Sequence, residues 1–250
     1  MKISYVHLYS SYFSNSLATE ISNRLQIIFP LIKIDLKSSI DYFSKNMIAD
    51  DNGEKLLPQF LKDSFQHFDF EKISSIVDTT GIIIDGFYLQ RIYTNIIDKN
   101  EIHLEHIHII FEDKLICTFD EVDRRFHARP IICGSPTIIS IPSIVEGPAK
   151  PKAYYFKQMM KGLLSENSKE IDKEFANRYV RYDDSRMSQI ATGYAIQAIF
   201  FFLTNGNPFC SNYPCRLFNS HWQEELIYSQ ISYPVLCEEH TELLEKAGID

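Results

Sequence analysis

The chain has 250 residues, of which 45% are hydrophobic, and it carries 25 Lys and Arg against 33 Asp and Glu. This composition can fill a sizeable core and excludes a disordered or collagen-like chain. The formal net charge of −8, with no cluster of basic residues, argues against nucleic acid or an anionic membrane as a partner. The longest apolar run, 195–203, is far shorter than the roughly 20 residues of a membrane span, and the N-terminus has no signal-peptide core, so we expect a cytoplasmic protein.

The chain opens with a predicted strand–helix–strand unit. Residues 2–12 are typical of a strand, and residues 30–38 of a second one. Between them, residues 14–29 place Leu17, Ile21 and Leu25 on one helical stripe. Three further helices are predicted before residue 101, at 38–47, 56–68 and 86–97.

The middle of the chain favours strands. Between residues 102 and 133 the pattern predicts two core strands joined by an exposed connection at 119–130, and residues 137–145 predict a strand or a buried extended segment. The sequence EGPAKPK at 146–152 is typical of a hinge. We therefore predict a single α/β (α+β) domain, 1–250, with a β-rich, mixed-sheet subdomain at 1–149 and a mostly helical subdomain at 150–250.

The strongest predicted helix covers residues 183–206. Its second half is apolar nearly all round, and Asn205 and Gly206 end it. Such a helix belongs in the core, with Ile196, Ile199, Phe200 and Leu203 packed against the sheet. The chain turns directly after it, where the first of a group of cysteines follows.

The cysteines divide into two sets. Five is an odd number, which argues against a disulfide framework in a chain without an export signal. Cys117 and Cys133 lie in apolar runs and are expected to be buried as small hydrophobic residues. Cys210 and Cys215, by contrast, form a Cx4C pair.

A second pair of soft donors follows in the sequence CEEH. Cys237 and His240 open a predicted helix, which places them on one face at i and i+3. Structural zinc sites are closed by four tetrahedral Cys and His ligands, usually two from each of two short segments. The pair of pairs therefore predicts a structural zinc bound by Cys210, Cys215, Cys237 and His240; three unrelated cysteines near a C-terminus are the alternative.

The order of these features resembles the C-terminal signature of the archaemetzincins, a branch of the metzincin zinc peptidases. That signature is HExxHxxGxxH followed directly by Cys, four residues, a second Cys, one residue, Met, and later CxxC. In this resemblance, Gly206 corresponds to the motif glycine and Leu217 to the methionine of the Met-turn. The three structural-zinc cysteines correspond to Cys210, Cys215 and Cys237, and the fourth zinc ligand corresponds to His240.

The same resemblance implies that the catalytic motif is missing. A peptidase zinc needs three ligands, an open position for water, and a glutamate that accepts the proton of that water. The positions of the three histidines and the glutamate hold hydrocarbon side chains: Ile199, Leu203, Phe209 and Phe200. The resemblance thus implies a metzincin-like fold without the standard peptidase chemistry.

Other polar groups are candidates for a relocated site. In HWQEEL, His221 is predicted to lie one helical turn from Glu224 or Glu225, a geometry in which imidazole and carboxylate can share a zinc. In a strand, His106 and His108 share one face, and His103 shares the other with Glu105; these histidines can bind a metal or simply lie half-buried.

Three functions follow from the sequence. The first is a zinc-stabilised pseudoenzyme that binds a peptide or protein partner in the former cleft. The second is an active metallopeptidase whose relocated site uses His221, Glu224 and Glu225 with help from His127 or the strand histidines. The third is an unrelated enzyme with a coincidental zinc. We favour the first, while the sequence leaves open whether the protein is an enzyme.

Overall fold

A computed structural model describes residues 3–10, 15–37, 84–94, 97–164 and 168–248. The helices predicted at 38–47 and 56–68 lie outside these ranges. Within the ranges, none of the helices combines the length and the apolar character needed to cross a bilayer.

Two sheets contain the strands. The strands are β1 Tyr5–Ser10, β2 Lys33–Leu36, β3 Ile84–Asp85, β4 His106–Glu112, β5 Ile116–Asp120, β6 Arg125–Ala128, β7 Ile131–Ile132 and β8 Thr137–Ser140. The larger sheet has the order β2-β1-β4-β8-β7, in which all pairs are parallel except β7 with β8. The smaller sheet has the order β3-β5-β6, with β6 antiparallel to β5 at its edge.

Six of the eight α-helices in the described ranges lie in the second half of the chain. They are α1 Asn15–Ile28, α2 Gly86–Thr94, α3 Ile141–Glu146, α4 Lys152–Leu164, α5 Ser168–Glu174, α6 Met187–Leu203, α7 Gln223–Ile227 and α8 Glu238–Ala247. A 3-10 helix covers Lys99–Glu101, and a π-helix covers Tyr228–Ser232. The mixed α/β class and the predicted β1-α1-β2 opening are confirmed.

The main core lies on one face of the larger sheet. There β1 and β4 contribute alternate residues, such as Val6 and Ile107, because successive strand residues point to opposite faces. Helices α1 and α6 cover this face, and Ile21 of α1 is fully buried in it. In α6, Ile196, Ile199 and Phe200 are buried in this core, and Leu203 packs against it in part, so the expected central helix is confirmed.

Two sequence-based expectations need correction. The stretch 119–130, predicted as an exposed connection, contains the end of β5 and the whole of β6. The two strands form a hairpin at the edge of the small sheet, and the polar side chains of this stretch belong to that hairpin. The segment 137–145 does not continue as a strand. Instead α3 starts at Ile141, since the Ser140 hydroxyl accepts a hydrogen bond from the Ser143 backbone N–H and Pro142 fits the first helical turn.

Gly193 of α6 packs against the Gln230 side chain of the π-helix. A Cβ atom at this position would lie 1.8 Å from Oε1 of Gln230, a side chain that is buried and bonded to Arg216 through both of its polar atoms. We expect Gly193→Ala to destabilise the protein by about 1–3 kcal/mol through overpacking, although alanine favours a helix by about 1 kcal/mol. Urea unfolding of the single variants and of Gly193→Ala/Gln230→Ala tests this: the double variant should recover part of the loss, and simple additivity would contradict the clash.

Candidate metal centre and adjoining cleft

Four metal-binding side chains converge beyond the end of α6. One ligand atom from each of Cys210, Cys215, Cys237 and His240 lies within 4.8 Å of the others. The Cys210 and Cys237 Sγ atoms are 3.8 Å apart, and His240 Nδ1 is 3.0 Å from Cys237 Sγ and 4.0 Å from Cys215 Sγ. The structure therefore brings together the four donors that the sequence pairs predict.

Short-range backbone geometry explains the convergence. The backbone N–H of Cys210 donates to the Leu217 carbonyl, which folds the Cx4C segment back on itself. Cys237 is the residue before the first turn of α8, and His240 lies in that turn. Because Cys237 directly precedes this helix, its thiol lies next to the imidazole of His240, as the sequence predicts.

The donors are largely shielded from water and packed on the central helix. Cys210, Cys215 and His240 are buried, and the His240 ring meets the Phe200 ring edge-on with centroids 5.4 Å apart. Burial raises the pKa of Cys210 to about 12. Burial acts the same way on Cys237, but hydrogen bonds with His240 and with the neighbouring thiols outweigh it and lower the pKa to about 7.

The donor set fits zinc. Tetrahedral zinc with Zn–S bonds of about 2.3 Å needs sulfur atoms about 3.8 Å apart, which is the Cys210–Cys237 separation. Three sulfurs and one nitrogen fill a tetrahedral shell, which is the composition of a closed structural site. Such a shell has no position left for a substrate water.

A cavity of about 670 Å³ lies beside the loop that follows α6. The edge hairpin lines one side with Asp120 and His127, while α6 lines another with Tyr194 and Gln197. Aromatic and polar residues from the loop after α6 complete its wall. Among the described residues, the Oε1 atom of Gln197 has no hydrogen-bond partner although the residue is buried.

The three candidate residues of HWQEEL do not form a common site. His221 lines the cavity but precedes α7, because Glu225 caps that helix by accepting hydrogen bonds from the backbone N–H groups of His221 and Trp222. Glu224 is paired with Arg178 at 2.8 Å. The prediction that His221 lies one helical turn from these glutamates is wrong. In the part of the chain that the structure describes, none of the three donor groups suited to a metal includes His221, Glu224 or Glu225.

The positions that the archaemetzincin resemblance assigns to catalysis are apolar in their surroundings as well as in their chemistry. Ile199 and Phe200 are completely buried, and Leu203 is partly buried against the same core. Phe209 lines the cavity with its ring. The positions that the resemblance assigns to zinc ligands and to the general base therefore hold hydrocarbon side chains.

One of the strand histidines, His108, belongs to a group of metal-binding side chains that the sequence does not predict. His103 lies in the turn before β4, while His106 and His108 share one face of that strand. His108 lies beside His7 of β1, and both lie close to Glu101. The sequence hint was the alternation in YVHLYS, which has the same period as HIHIIF; the adjacency of the two strands was not readable. A third, more exposed group consists of Asp120, Asp123 and His127.

Comparisons with known proteins agree with the metal-binding character of the chain. Residues 2–247 match the profile of the Probable metallopeptidase family (DUF6775). The chain belongs to this family. The family relation implies a metal, and the described residues include donor groups that could hold one.

Sequence and structure searches give two further results. No curated protein matches the sequence. Among solved structures, the chain is similar to archaemetzincin from Methanopyrus kandleri, with 10% identity over 98% of this chain and 95% of that chain and a TM-score of 0.42.

Proposed function

We propose that this member of the Probable metallopeptidase family is a zinc-stabilised binding protein that holds a peptide or protein partner in the cleft between the β5–β6 hairpin and α6, without the standard peptidase reaction. The observation that carries the proposal is the complete burial of Ile199 and Phe200. A peptidase zinc requires imidazole or carboxylate ligands and a glutamate base facing an open cleft, and these buried side chains offer neither.

The zinc is proposed to be structural. It would be held by Cys210, Cys215, Cys237 and His240, whose spacing suits tetrahedral coordination. When bound, it ties the loop after α6 to the start of α8. The Phe200–His240 contact then links the metal centre to the main core.

The cleft is suited to an extended peptide. Strand β6 lies at the edge of the small sheet, and within the described ranges its outer side pairs with no other strand. Exposed strand edges commonly accept a further strand from a peptide. Aromatic residues such as Tyr194 and Phe201 line the same cavity, and Gln197 Oε1, which has no hydrogen-bond partner among the described residues, offers a hydrogen-bond acceptor.

A relocated peptidase site around His221, Glu224 and Glu225 is the second candidate. The position of His221 on the cavity wall favours it. The capping role of Glu225 and the ion pair of Glu224 with Arg178 argue against it, because both carboxylates already have partners.

Turnover and binding assays on the same zinc-loaded preparation separate the two candidates. We expect no hydrolysis of casein or of a mixed peptide library, because the shell of the zinc at the cysteine centre is closed, together with measurable binding of library peptides. Phe209→Ala should weaken that binding, while Phe156→Ala, an exposed position outside the cavity, should leave it unchanged.

Substitutions at the candidate catalytic residues and at the cleft define the results that would contradict the proposal. Turnover that persists through purification and disappears in His221→Ala or Glu224→Ala would establish the second candidate. Peptide binding that is equal in Phe209→Ala, Phe156→Ala and the parent protein would contradict the proposed cleft.

A further inference from the structure

A second group of metal-binding side chains lies on the face of the large sheet opposite the cysteines. Strands β1 and β4 are parallel neighbours, and their register places His7 directly beside His108. The adjacent residues of both strands point into the main core, so the two imidazoles point away from it. Glu101 from the 3-10 helix completes the group, with one ligand atom from each residue within 4.8 Å of the others.

The two imidazoles are held by partners typical of metal-binding histidines. His7 Nδ1 is 2.6 Å from the Asp35 carboxylate. His108 Nε2 is 3.0 Å from the Glu101 backbone carbonyl, which can only accept, so this nitrogen carries the proton. Metal-binding histidines generally direct one ring N–H to a carboxylate or a backbone carbonyl, which fixes the tautomer and leaves the other nitrogen as the ligand.

The other nitrogen of each ring then presents a lone pair. His7 Nε2 faces His106 Nδ1 at 2.8 Å, and His108 Nδ1 faces the Tyr9 hydroxyl at 3.0 Å. These two neighbours donate to the lone pairs when no metal is bound. Burial lowers the pKa of both His7 and His108, a shift toward the neutral form in which histidine binds metals.

The carboxylates around the group attract a cation. His7, which is 2% exposed, contacts Asp35 Oδ1 through Nδ1, and among the described residues neither of these two atoms has a further partner. One cation is already close: Lys37 Nζ lies 2.6 Å from Glu101 Oε1 and 3.6 Å from Asp35 Oδ2.

We propose that His7, His108 and Glu101 form a second metal site, specific for a divalent transition metal of the zinc class, with Asp35 orienting His7 and Lys37 competing for Glu101. Two imidazoles and one carboxylate are a donor set that suits zinc and leaves a fourth position for water. Tetrahedral ligand atoms are about 3.4 Å apart at zinc–ligand distances of about 2.0–2.1 Å, so metal binding requires the three ligand atoms, which lie within 4.8 Å of one another, to move closer together. The Glu101 side chain, 24% exposed, provides both that movement and a path for the ion.

Cobalt titration of the metal-free full-length protein distinguishes this site from the cysteine centre. Cobalt bound to thiolates gives an intense sulfur-to-metal charge-transfer band, whereas cobalt bound to nitrogen and oxygen gives only weak visible bands. We expect the first equivalent to produce the charge-transfer band and a second equivalent to bind without increasing it.

Substitutions identify the ligands. Glu101→Gln and His7→Gln should weaken binding of the second equivalent at least about 10-fold, since even outer-shell partners of metal ligands contribute 10–100-fold. Lys37→Met should tighten it by removing the competing ammonium group. His103→Gln, an exposed histidine of the same segment outside the group, is the matched control.

The charge-transfer band of the first equivalent shows in each variant that the fold and the cysteine centre are intact. Should a glutamine variant fail to form that band, Lys37→Met in the otherwise unchanged protein still tests the proposal by its gain in affinity. Absence of a second bound equivalent in both the parent protein and Lys37→Met would overturn the proposal. So would a second equivalent whose affinity is the same in Glu101→Gln, His7→Gln and His103→Gln.

Discussion

Replacing Cys237 by Ser is expected to remove the zinc from the cysteine centre and to lower the melting temperature substantially. An ion that binds only the folded state, at a free concentration 1,000 times its dissociation constant, stabilises it by about 4 kcal/mol. In a chain of this size each kcal/mol corresponds to about 2–4 °C, so the expected decrease is roughly 8–16 °C. Elemental analysis and thermal unfolding of the same samples measure both effects.

The matched control is Cys117→Ser. Cys117 is buried in β5, away from the four donors, and burial, together with the charge of Asp85, raises its thiol pKa. This variant should keep its zinc even if it loses some stability. Equal zinc loss in the two variants, or full zinc retention in Cys237→Ser, would show that the ion is bound elsewhere.

Phe200→Glu is expected to destabilise the protein by about 3–5 kcal/mol. Phe200 is completely buried between the sheet and the metal centre, and a carboxylate there would be an uncompensated charge in an apolar environment. Phe156→Glu, at an exposed position of α4, should change the free energy of unfolding by less than about 0.5 kcal/mol.

The Phe200→Glu variant also tests whether position 200 of α6 faces a catalytic cleft or the core. The resemblance to archaemetzincins assigns the general-base glutamate to position 200, so the variant introduces the catalytic residue type. If Phe200→Glu folded as stably as the parent protein, this position would face a cleft rather than the core. The proposed loss of the peptidase reaction would then lose its main support.

The sequence was most informative where the determining geometry is local. The separation of Cys237 and His240 by three residues, at the start of a helix, is enough to predict that they present donors to one point. The same holds for the apolar stripe of α1, where Ile21 and Leu25 are fully buried. The meeting of the two donor pairs was an inference from zinc chemistry, and the structure places them together.

Other features depend on contacts that no local pattern reveals. His7 and His108 are 101 positions apart and become neighbours only through the parallel register of β1 and β4. The prediction of HWQEEL as a helix carrying His221 failed because Glu225 folds back to the backbone and makes Trp222 the residue before the helix. Strand β6 was missed since an edge strand has polar residues on its exposed side and resembles a connection.

The predicted division into subdomains at 1–149 and 150–250 remains a prediction. The buried residues of the main core range from Ile3 to Leu244.

X-ray absorption at the zinc edge, on protein loaded with one equivalent of zinc, tests the central claim most directly. The cysteine centre should take up the first ion, because three thiolates and one imidazole give a complete tetrahedral shell, whereas the histidine–glutamate group offers three ligands. The account predicts three sulfur ligands at about 2.3 Å and one nitrogen at about 2.0–2.1 Å. A shell of nitrogen and oxygen without sulfur would contradict a structural zinc held by Cys210, Cys215, Cys237 and His240.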